Sequence, residues 1–180
     1  MSSSARTLEI STAQRQLCAD LASTSTRPSS GSVDHETPEA FLAQPAVRLS
    51  AEVLAIKRVP AGSGVSYGHS YHTTAETTLI LVSIGYGHGL PRKAGNRAQA
   101  TWWDSSASQT FRLPIVGRVA MDVLVVDAGD TPVREGDRVV LFGDPAVGEI
   151  SLAEWSMSVA ENSVAIVCAL DPRVHRVEHP

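Results

Sequence analysis

The chain has 180 residues, 43% of them hydrophobic, and a formal net charge of −4. This length suits one domain of typical size with some additional chain, and the charge, which contains no basic block, argues against nucleic-acid binding and against an anionic membrane surface. No signal-peptide pattern is present, and no apolar run reaches the roughly 18 residues of a membrane helix, so we expect a soluble, cytoplasmic protein.

The first 43 residues differ in composition from the rest. The polar stretch Ser23–Ser32 buries too little apolar area to offset the entropy of ordering it. Before it, apolar side chains lie roughly on one side of Thr7–Ala22 and predict one weak helix. We therefore predict a flexible polar N-terminal arm over residues 1–43 and a β-domain over residues 44–180.

Strand patterns dominate from Pro45 onward. Apolar runs bounded by glycine and proline turns predict strands at Ala46–Val59, Thr77–Ile84, Ala98–Trp103, Gln109–Leu113, Val116–Asp127, Arg138–Phe142 and Val164–Leu170. The third and fourth of these form a predicted hairpin. Ser151 and Glu154 match a capping box and predict one short helix that ends near Val159. Together these elements indicate an all-β barrel or sandwich.

Two cysteines, Cys18 and Cys168, lie far apart in the sequence and form no CxxC pair. We expect unpaired thiols in a reducing compartment, not a disulfide framework or a zinc knuckle.

Two glycine-rich segments could display functional side chains. Gly64 and Gly68 bracket Tyr67, which could act as a general acid or base if nearby cations lowered its pKa. Spacing alone favours an ordinary strand-edge tyrosine. In Ile84–Arg92, alternating glycines predict tight turning or close backbone approach. No helix follows this segment, so a structural loop is favoured over a phosphate site.

Arg118 and Asp122 lie four residues apart in a predicted strand and would therefore face the same side. Such a pair can steer a zwitterionic or carboxylate ligand, although a surface ion pair of little energetic consequence is the alternative. His69, His72 and His88 lie close together in sequence, but they lack a recognisable ligand pattern, and we predict no metal site.

The order and spacing of these motifs resemble the C-terminal domain of alanine racemases. The matching stretches cover roughly Gln44 to Val177 and include Gly64-Val65-Ser66-Tyr67-Gly68, Ile84-Gly85-Tyr86, Gly89-x-Pro91-Arg92, Ile115-Val116-Gly117-Arg118-Val119-x-Met121-Asp122, Gly136-Asp137-x-Val139-Val140-Leu141-Phe142-Gly143 and Pro172-Arg173-Val174-x-Arg176. The resemblance implies an alanine racemase C-terminal-like β-barrel with one short helix.

The resemblance also implies roles for individual residues. In that family, the domain follows a (β/α)8 barrel that holds pyridoxal phosphate on a lysine, and a head-to-tail dimer completes each active site. Tyr67 matches the catalytic tyrosine that exchanges a proton with the substrate α-carbon. Met121 matches a residue near the substrate carboxylate. The matches to the active-site entrance are Tyr86, Arg92, Arg118 and Asp122, while His88 stands where the family usually has aspartate.

Several departures from the family bear on function. The barrel is absent, and the only lysines are Lys57 and Lys93. Neither position suggests a Schiff-base lysine, which needs a buried pocket and a lowered pKa. Val164-Ala165 stand where the family has a tyrosine and a glutamate, which predicts a wider pocket. We therefore expect no cofactor to be bound by this chain alone, with pyridoxal phosphate involved only if a partner barrel supplies it.

Two functions remain open at this point. The β-domain is either recruited for small-molecule binding or a step without pyridoxal phosphate, in a cavity near Tyr67, Tyr86, His88 and Met121, or it works in trans. In the second case it lends Tyr67 to a separate pyridoxal-phosphate barrel for amino-acid racemisation. The corresponding partners are a small molecule and a barrel protein or a second copy. The absence of the barrel that holds the cofactor favours the first of these functions, small-molecule binding or a step without pyridoxal phosphate. The chain alone is not expected to be a racemase.

Overall fold

The structure is a computed structural model that describes residues 5–23 and 47–179. The strands in these ranges are β1 (Arg6–Ser11), β2 (Arg48–Val59), β3 (Gly64–Val65), β4 (Tyr71–His72), β5 (Thr77–Val82), β6 (Gln99–Asp104), β7 (Gln109–Val116), β8 (Leu124–Gly129), β9 (Arg138–Phe142) and β10 (His175–His179). The α-helices are α1 (Thr12–Ser23), α2 (Leu152–Val159) and α3 (Ser163–Cys168). Short 3-10 turns occupy Tyr67–His69, Tyr86–His88, Arg92–Ala94 and Pro145–Val147.

Six antiparallel strands close into a barrel in the order β2, β5, β8, β7, β6 and β9, with β9 pairing back to β2. The long strand β2 makes this closure possible because its two halves have different neighbours. Its first half, Arg48–Glu52, pairs with β9, and its second half, from Val53, pairs with β5. The pairing of the second half with β5 contains a register shift between Val53 and Ala55. The predicted β-barrel is therefore confirmed.

Alternating apolar side chains fill the core, as the period-2 patterns predict. Among the most completely buried of these on the barrel strands are Leu49, Ala51, Ile80, Val82, Leu124, Val126, Val139 and Leu141. On β5, however, Leu79 and Leu81 remain partly exposed, so this strand is not buried on both sides.

The helix α2 packs its apolar side against the barrel. Ser151 caps it by accepting a hydrogen bond from the Glu154 amide at 3.1 Å, as predicted. The Glu154 carboxylate instead pairs with Arg112 on β7. Trp155 is 1% exposed, lies edge-on to Phe142 with ring centroids 5.8 Å apart, and donates its indole N–H to the Gln99 carbonyl at 3.1 Å.

The N-terminal segment joins the same sheet. The strand β1 pairs antiparallel with the first half of β2 and parallel with β10, and it buries Leu8 and Ile10. The predicted helix is confirmed for Thr12–Ala22, whereas Thr7–Ser11 lies in β1, because Leu8 and Ile10 follow strand alternation. The prediction of a flexible arm is wrong for residues 5–23, which form β1 and α1. The predicted domain boundary at residues 43 and 44 lies outside the described residues.

Two other predictions are corrected by the structure. Gly117–Val123 is a loop, so only the last part of the predicted strand Val116–Asp127 forms β8. The predicted strand Val164–Leu170 is mostly helix α3, since Asn162 caps it by accepting from the Ala165 amide at 3.1 Å. The prediction of a single short helix is therefore also wrong.

The cysteines also differ from expectation. Cys18 in α1 and Cys168 at the end of α3 form a disulfide across a sequence separation of 150 residues, with their Cα atoms 5.2 Å apart. That Cα separation is typical of disulfides. The expectation of unpaired thiols is wrong because folding, not sequence proximity, brings them together.

Candidate functional site

An open cleft of about 650 Å³ lies where three loops meet at one side of the barrel. Two phenols, three cationic side chains and a thioether share this cleft. The lining residues are Tyr67, Tyr86, Arg92, Lys93, Arg118, Val119, Ala120 and Met121. The structure therefore brings together five of the seven predicted site residues, while His88 and Asp122 do not line the cleft.

Tyr67 stands on a 3-10 turn after β3 and is 75% exposed. The backbone on both sides of it is unusual: Ser66 has φ 59° and ψ −170°, and Gly68 has φ 68°. The Ser66 conformation is nearly restricted to glycine, and such residues persist only where the surroundings fix them. Gly117 makes room for Ser66 in this conformation, because a Cβ at Gly117 would lie 2.7 Å from the Ser66 Oγ.

Arg118 follows Gly117 and reaches the neighbour of the tyrosine. Its guanidinium Cζ lies 3.7 Å from where a Cβ of Gly68 would be. Asn96 fixes the start of this loop by accepting a hydrogen bond from the Gly117 amide at 2.6 Å. The Arg118 cation therefore lies in van der Waals range of the tyrosine-bearing turn.

Tyr86 is held by backbone contacts between two loops. Its amide donates to the Ala120 carbonyl at 2.9 Å, and the Gly87 amide donates to the Met121 carbonyl at 2.7 Å. A Cβ at Gly85 would lie 2.3 Å from the Ala120 oxygen, so the loops can meet only at glycine. The predicted close backbone approach is confirmed, and it positions Tyr86 and Met121 side by side.

Arg92 covers the Tyr86 ring, with its Cζ 3.9 Å from the ring centroid. This cation–π contact fixes one cation over one phenol. Lys93, which sequence analysis did not assign to the site, donates to the Glu161 carboxylate at 2.7 Å. Its position directly after Arg92 was the available signal.

Arg118 and Asp122 do not form the predicted pair on a strand. Arg118 points to the cleft, whereas an Asp122 carboxylate oxygen lies 3.9 Å from both the His88 Nε2 and an Arg173 nitrogen. The prediction that both face the same side is wrong, because the segment is a loop in which side chains no longer alternate.

His88 is buried next to the cleft and contacts one of its loops. It is 1% exposed, and its Nδ1 accepts a hydrogen bond from the Gly85 amide at 3.1 Å. Burial, and then the positive charges of Arg6 and Arg173, lower the pKa of His88 below its ordinary value. We conclude that His88 holds the glycine loop, which is Gly85–Gly89, and is not a side chain of the cleft.

Two further residues bear on the predictions. Arg173 donates to the Gly87 carbonyl and to Asp171, which ties the C-terminal segment to the glycine loop; sequence analysis did not assign it to the site, although Pro172-Arg173 is part of a matching motif. Val164, the predicted cause of a wider pocket, packs against the hydrophobic core from α3 and does not line the cleft.

The lysines present do not fit an aldehyde cofactor. Lys93 is paired with Glu161 and its side chain is 55% exposed, and Lys57 lies exposed on β2 away from the cleft. A Schiff-base lysine needs a desolvated amine without a competing ion pair. Within residues 5–23 and 47–179, no group of three His, Cys, Asp or Glu residues could hold a metal ion. In the same ranges no helix is long and apolar enough to span a membrane.

Comparison with known proteins identifies related chains. A family model described as "Alanine racemase, C-terminal domain" matches residues 46–178. The chain is 45% identical over 134 residues to an alanine racemase of Thermobifida fusca. The aligned region covers 74% of this chain and 34% of that protein. An alanine racemase of Frankia casuarinae is 42% identical over 139 residues, covering 77% of this chain and 35% of that protein.

Solved structures agree with these matches. The crystal structure of alanine racemase from D-cycloserine-producing Streptomyces lavendulae aligns with a TM-score of 0.68 and 38% identity, covering 76% of this chain and 34% of that chain. The present chain thus spans about one third of the length of these relatives.

Proposed function

Because this chain belongs to the alanine racemase C-terminal domain family, we propose that its cleft binds a small carboxylate-bearing molecule and that the chain alone is not a racemase. The chain covers only about one third of the length of the relatives it matches, so their activity does not transfer directly. The proposal is supported by the charges and contacts of the cleft residues.

The observation that carries the proposal is the state of Arg118. Among the cleft cations, Lys93 is neutralised by Glu161 and Arg92 lies on the Tyr86 ring. Arg118, by contrast, has no carboxylate partner among the described residues and borders an open cleft. A guanidinium offers paired donors that match a carboxylate. Nearby Met121 and Val119 provide apolar contact for a short side chain.

The test is a calorimetric titration of the protein with L-alanine, D-alanine and alaninamide, which lacks the carboxylate. We expect the amino acids to bind and alaninamide to bind much more weakly. The change Arg118→Ala removes charged hydrogen bonds of about 1.5–3 kcal/mol, so affinity should fall roughly 10- to 100-fold. Arg112→Ala, which alters an arginine on the α2 side, is the matched control. Equal binding of alaninamide, or an unchanged affinity in Arg118→Ala, contradicts the proposal.

The same site is insufficient for racemisation by itself. Racemisation needs an acid or base on each face of the α-carbon and an electron sink for the carbanion. The cleft offers Tyr67 as one candidate acid or base, and neither lysine fits the electron-sink cofactor. Racemisation would therefore need an acid or base and an electron sink that the residues of this cleft do not provide.

A second candidate function is favoured by the exposure of two side chains that line the cleft. Tyr67 is 75% exposed and Met121 is 55% exposed, although both border the cleft. Catalytic side chains are normally shielded from water during reaction, so this arrangement fits a half-site that a pyridoxal-phosphate protein would cover. In that case the chain would supply Tyr67 in trans.

This candidate is tested by mixing the chain with the remaining two thirds of the Thermobifida fusca relative, after its folding is checked by circular dichroism. D-alanine formation from L-alanine that is lost in Tyr67→Phe and kept in Tyr86→Phe supports it. Tyr86→Phe is a matched control because a phenylalanine ring still packs under Arg92. Absence of joint activity, or equal activity in Tyr67→Phe, rules out the trans role.

A further inference from the structure

The disulfide between Cys18 and Cys168 lies next to the parallel strand pair β1–β10. The sheet order is β10, β1, β2, so within the described residues β1 is the strand partner of β10. Cys18 lies in α1, directly after β1, and Cys168 lies in α3, shortly before β10. The disulfide thus ties together the two chain segments that lead into and out of this parallel strand pair.

Other contacts also hold α1. Its start is fixed by Ser11 and Gln14, whose side chains each accept the other residue's amide at 3.1 and 3.0 Å. Further along, Leu17 packs against the core but is only partly buried, as is Cys18. By contrast, β1 buries Leu8 and Ile10 fully. The disulfide is the covalent attachment of α1 to the segment before β10.

A short series of contacts connects Cys168 to the cleft. The next residue, Ala169, packs on Gly89 so closely that a Cβ there would lie 2.2 Å from the Ala169 oxygen. The Asp171 amide donates to the His88 carbonyl at 3.1 Å, and Arg173 donates to the Gly87 carbonyl. Each residue from Gly87 to Gly89 is thus held by the segment that follows the disulfide.

We propose that Cys18–Cys168 is a thiol-reducible disulfide that holds β1 and β10 in the sheet. Through residues 169–173, the same disulfide also holds the glycine loop of the cleft in place. Both cysteines are partly exposed, so a thiol reductant can reach them. A thiolate of a dithiol attacks one Sγ, the Cys–Cys bond breaks and the other sulfur leaves as thiolate, which takes up a proton. The second thiol of the reductant then closes its own disulfide and releases the first cysteine. Two protein thiols form and one dithiol is oxidised.

The first measurement establishes the bond. Peptide mapping of the full chain under non-reducing conditions should yield a linked peptide pair containing Cys18 and Cys168. Failure to form this link after treatment of the folded protein with oxidised glutathione overturns the proposal.

The second measurement is amide hydrogen exchange with and without dithiothreitol. Reduction should accelerate exchange about tenfold or more in β1, β10 and residues 86–89, while β5 and β8 are unchanged, because local opening follows the loss of local constraints. The variant Cys18→Ser/Cys168→Ser should exchange like reduced wild type and should not respond to dithiothreitol. The single variant Cys18→Ser serves as a second test if the double variant folds poorly.

Unchanged exchange in β1 and β10 on reduction overturns the proposal, and so does a dithiothreitol response that persists in the double variant. Because no ligand enters these measurements, they stand or fall independently of carboxylate binding in the cleft.

Discussion

The barrel and the cleft are held together by different kinds of contact. The barrel interior consists of many apolar side chains, such as Ile80, Val126 and Leu141, each with no exposed surface. The cleft is fixed by a few close contacts at glycines: Gly85 and Gly87 lie against the backbone of the facing loop, and Gly117 lies against the Ser66 side chain. Stability in the barrel is therefore spread over many residues, whereas the geometry of the cleft depends on a small number of positions that tolerate no side chain.

The largest effect is expected from opening the core under α2. Trp155→Ala removes a side chain that is 1% exposed and packs on Phe142, and it should lower the free energy of unfolding by about 3–5 kcal/mol. Trp103→Ala, at a position 52% exposed, is the matched control and should cost far less. Urea denaturation of both variants measures the difference. Similar losses in the two variants would show that the core is not where stability is concentrated.

The strand patterns made the barrel predictable. The hairpin of β6 and β7, the strand β9 and the Ser151 cap all follow from local alternation or local hydrogen bonding, which a sequence displays directly. The start of α1 was not predicted, although Ser11 and Gln14 form a capping box, because the weak apolar side of Thr7–Ala22 indicated one continuous helix.

The cleft was only partly predictable. Family resemblance selected Tyr67, Tyr86, Arg92, Arg118 and Met121, but no local pattern shows that Gly117 breaks the strand or that His88 lies underneath. The pairing of Cys18 with Cys168 is likewise invisible at a separation of 150 residues. Contacts between distant loops form only when the barrel closes, so the periodicity of the sequence cannot predict them.

An intermediate effect is expected where the two loops of the cleft meet. Gly85→Ala places a Cβ against the Ala120 carbonyl, and overpacking of this kind costs about 1–3 kcal/mol. Gly62→Ala is the control, because it has open space and strains only a positive φ of 80°. Chemical shifts of Tyr86 and Met121 should move in Gly85→Ala and stay in place in Gly62→Ala. Unmoved shifts in Gly85→Ala would mean that the glycine contact does not position the cleft.

The smallest of the three effects concerns pH. Burial and the charges of Arg6 and Arg173 lower the pKa of His88 in the folded state, so the unfolded chain takes up a proton that the folded protein resists. This contribution to stability is present above the ordinary histidine pKa of about 6.5 and is lost as pH falls below it. His88→Asn, which keeps an acceptor near the Gly85 amide, should reduce the fall in Tm between about pH 7.5 and about pH 5.5.

The control for this pH effect is His72→Asn, which changes an exposed histidine on β4. It should leave the fall in Tm as large as in wild type. If His88→Asn loses as much Tm on acidification as wild type does, His88 is not the residue responsible.

The central proposal is that neither lysine of this chain, Lys57 or Lys93, fits an aldehyde cofactor, so that Tyr67 and its cleft do not racemise alanine unaided. The most direct measurement is chiral chromatography of alanine after the purified protein is incubated with pyridoxal phosphate and L-alanine, with a full-length alanine racemase as the positive control. We predict no more D-alanine than pyridoxal phosphate alone produces. Sustained D-alanine formation by the wild type that is abolished in Lys93→Ala would contradict the account.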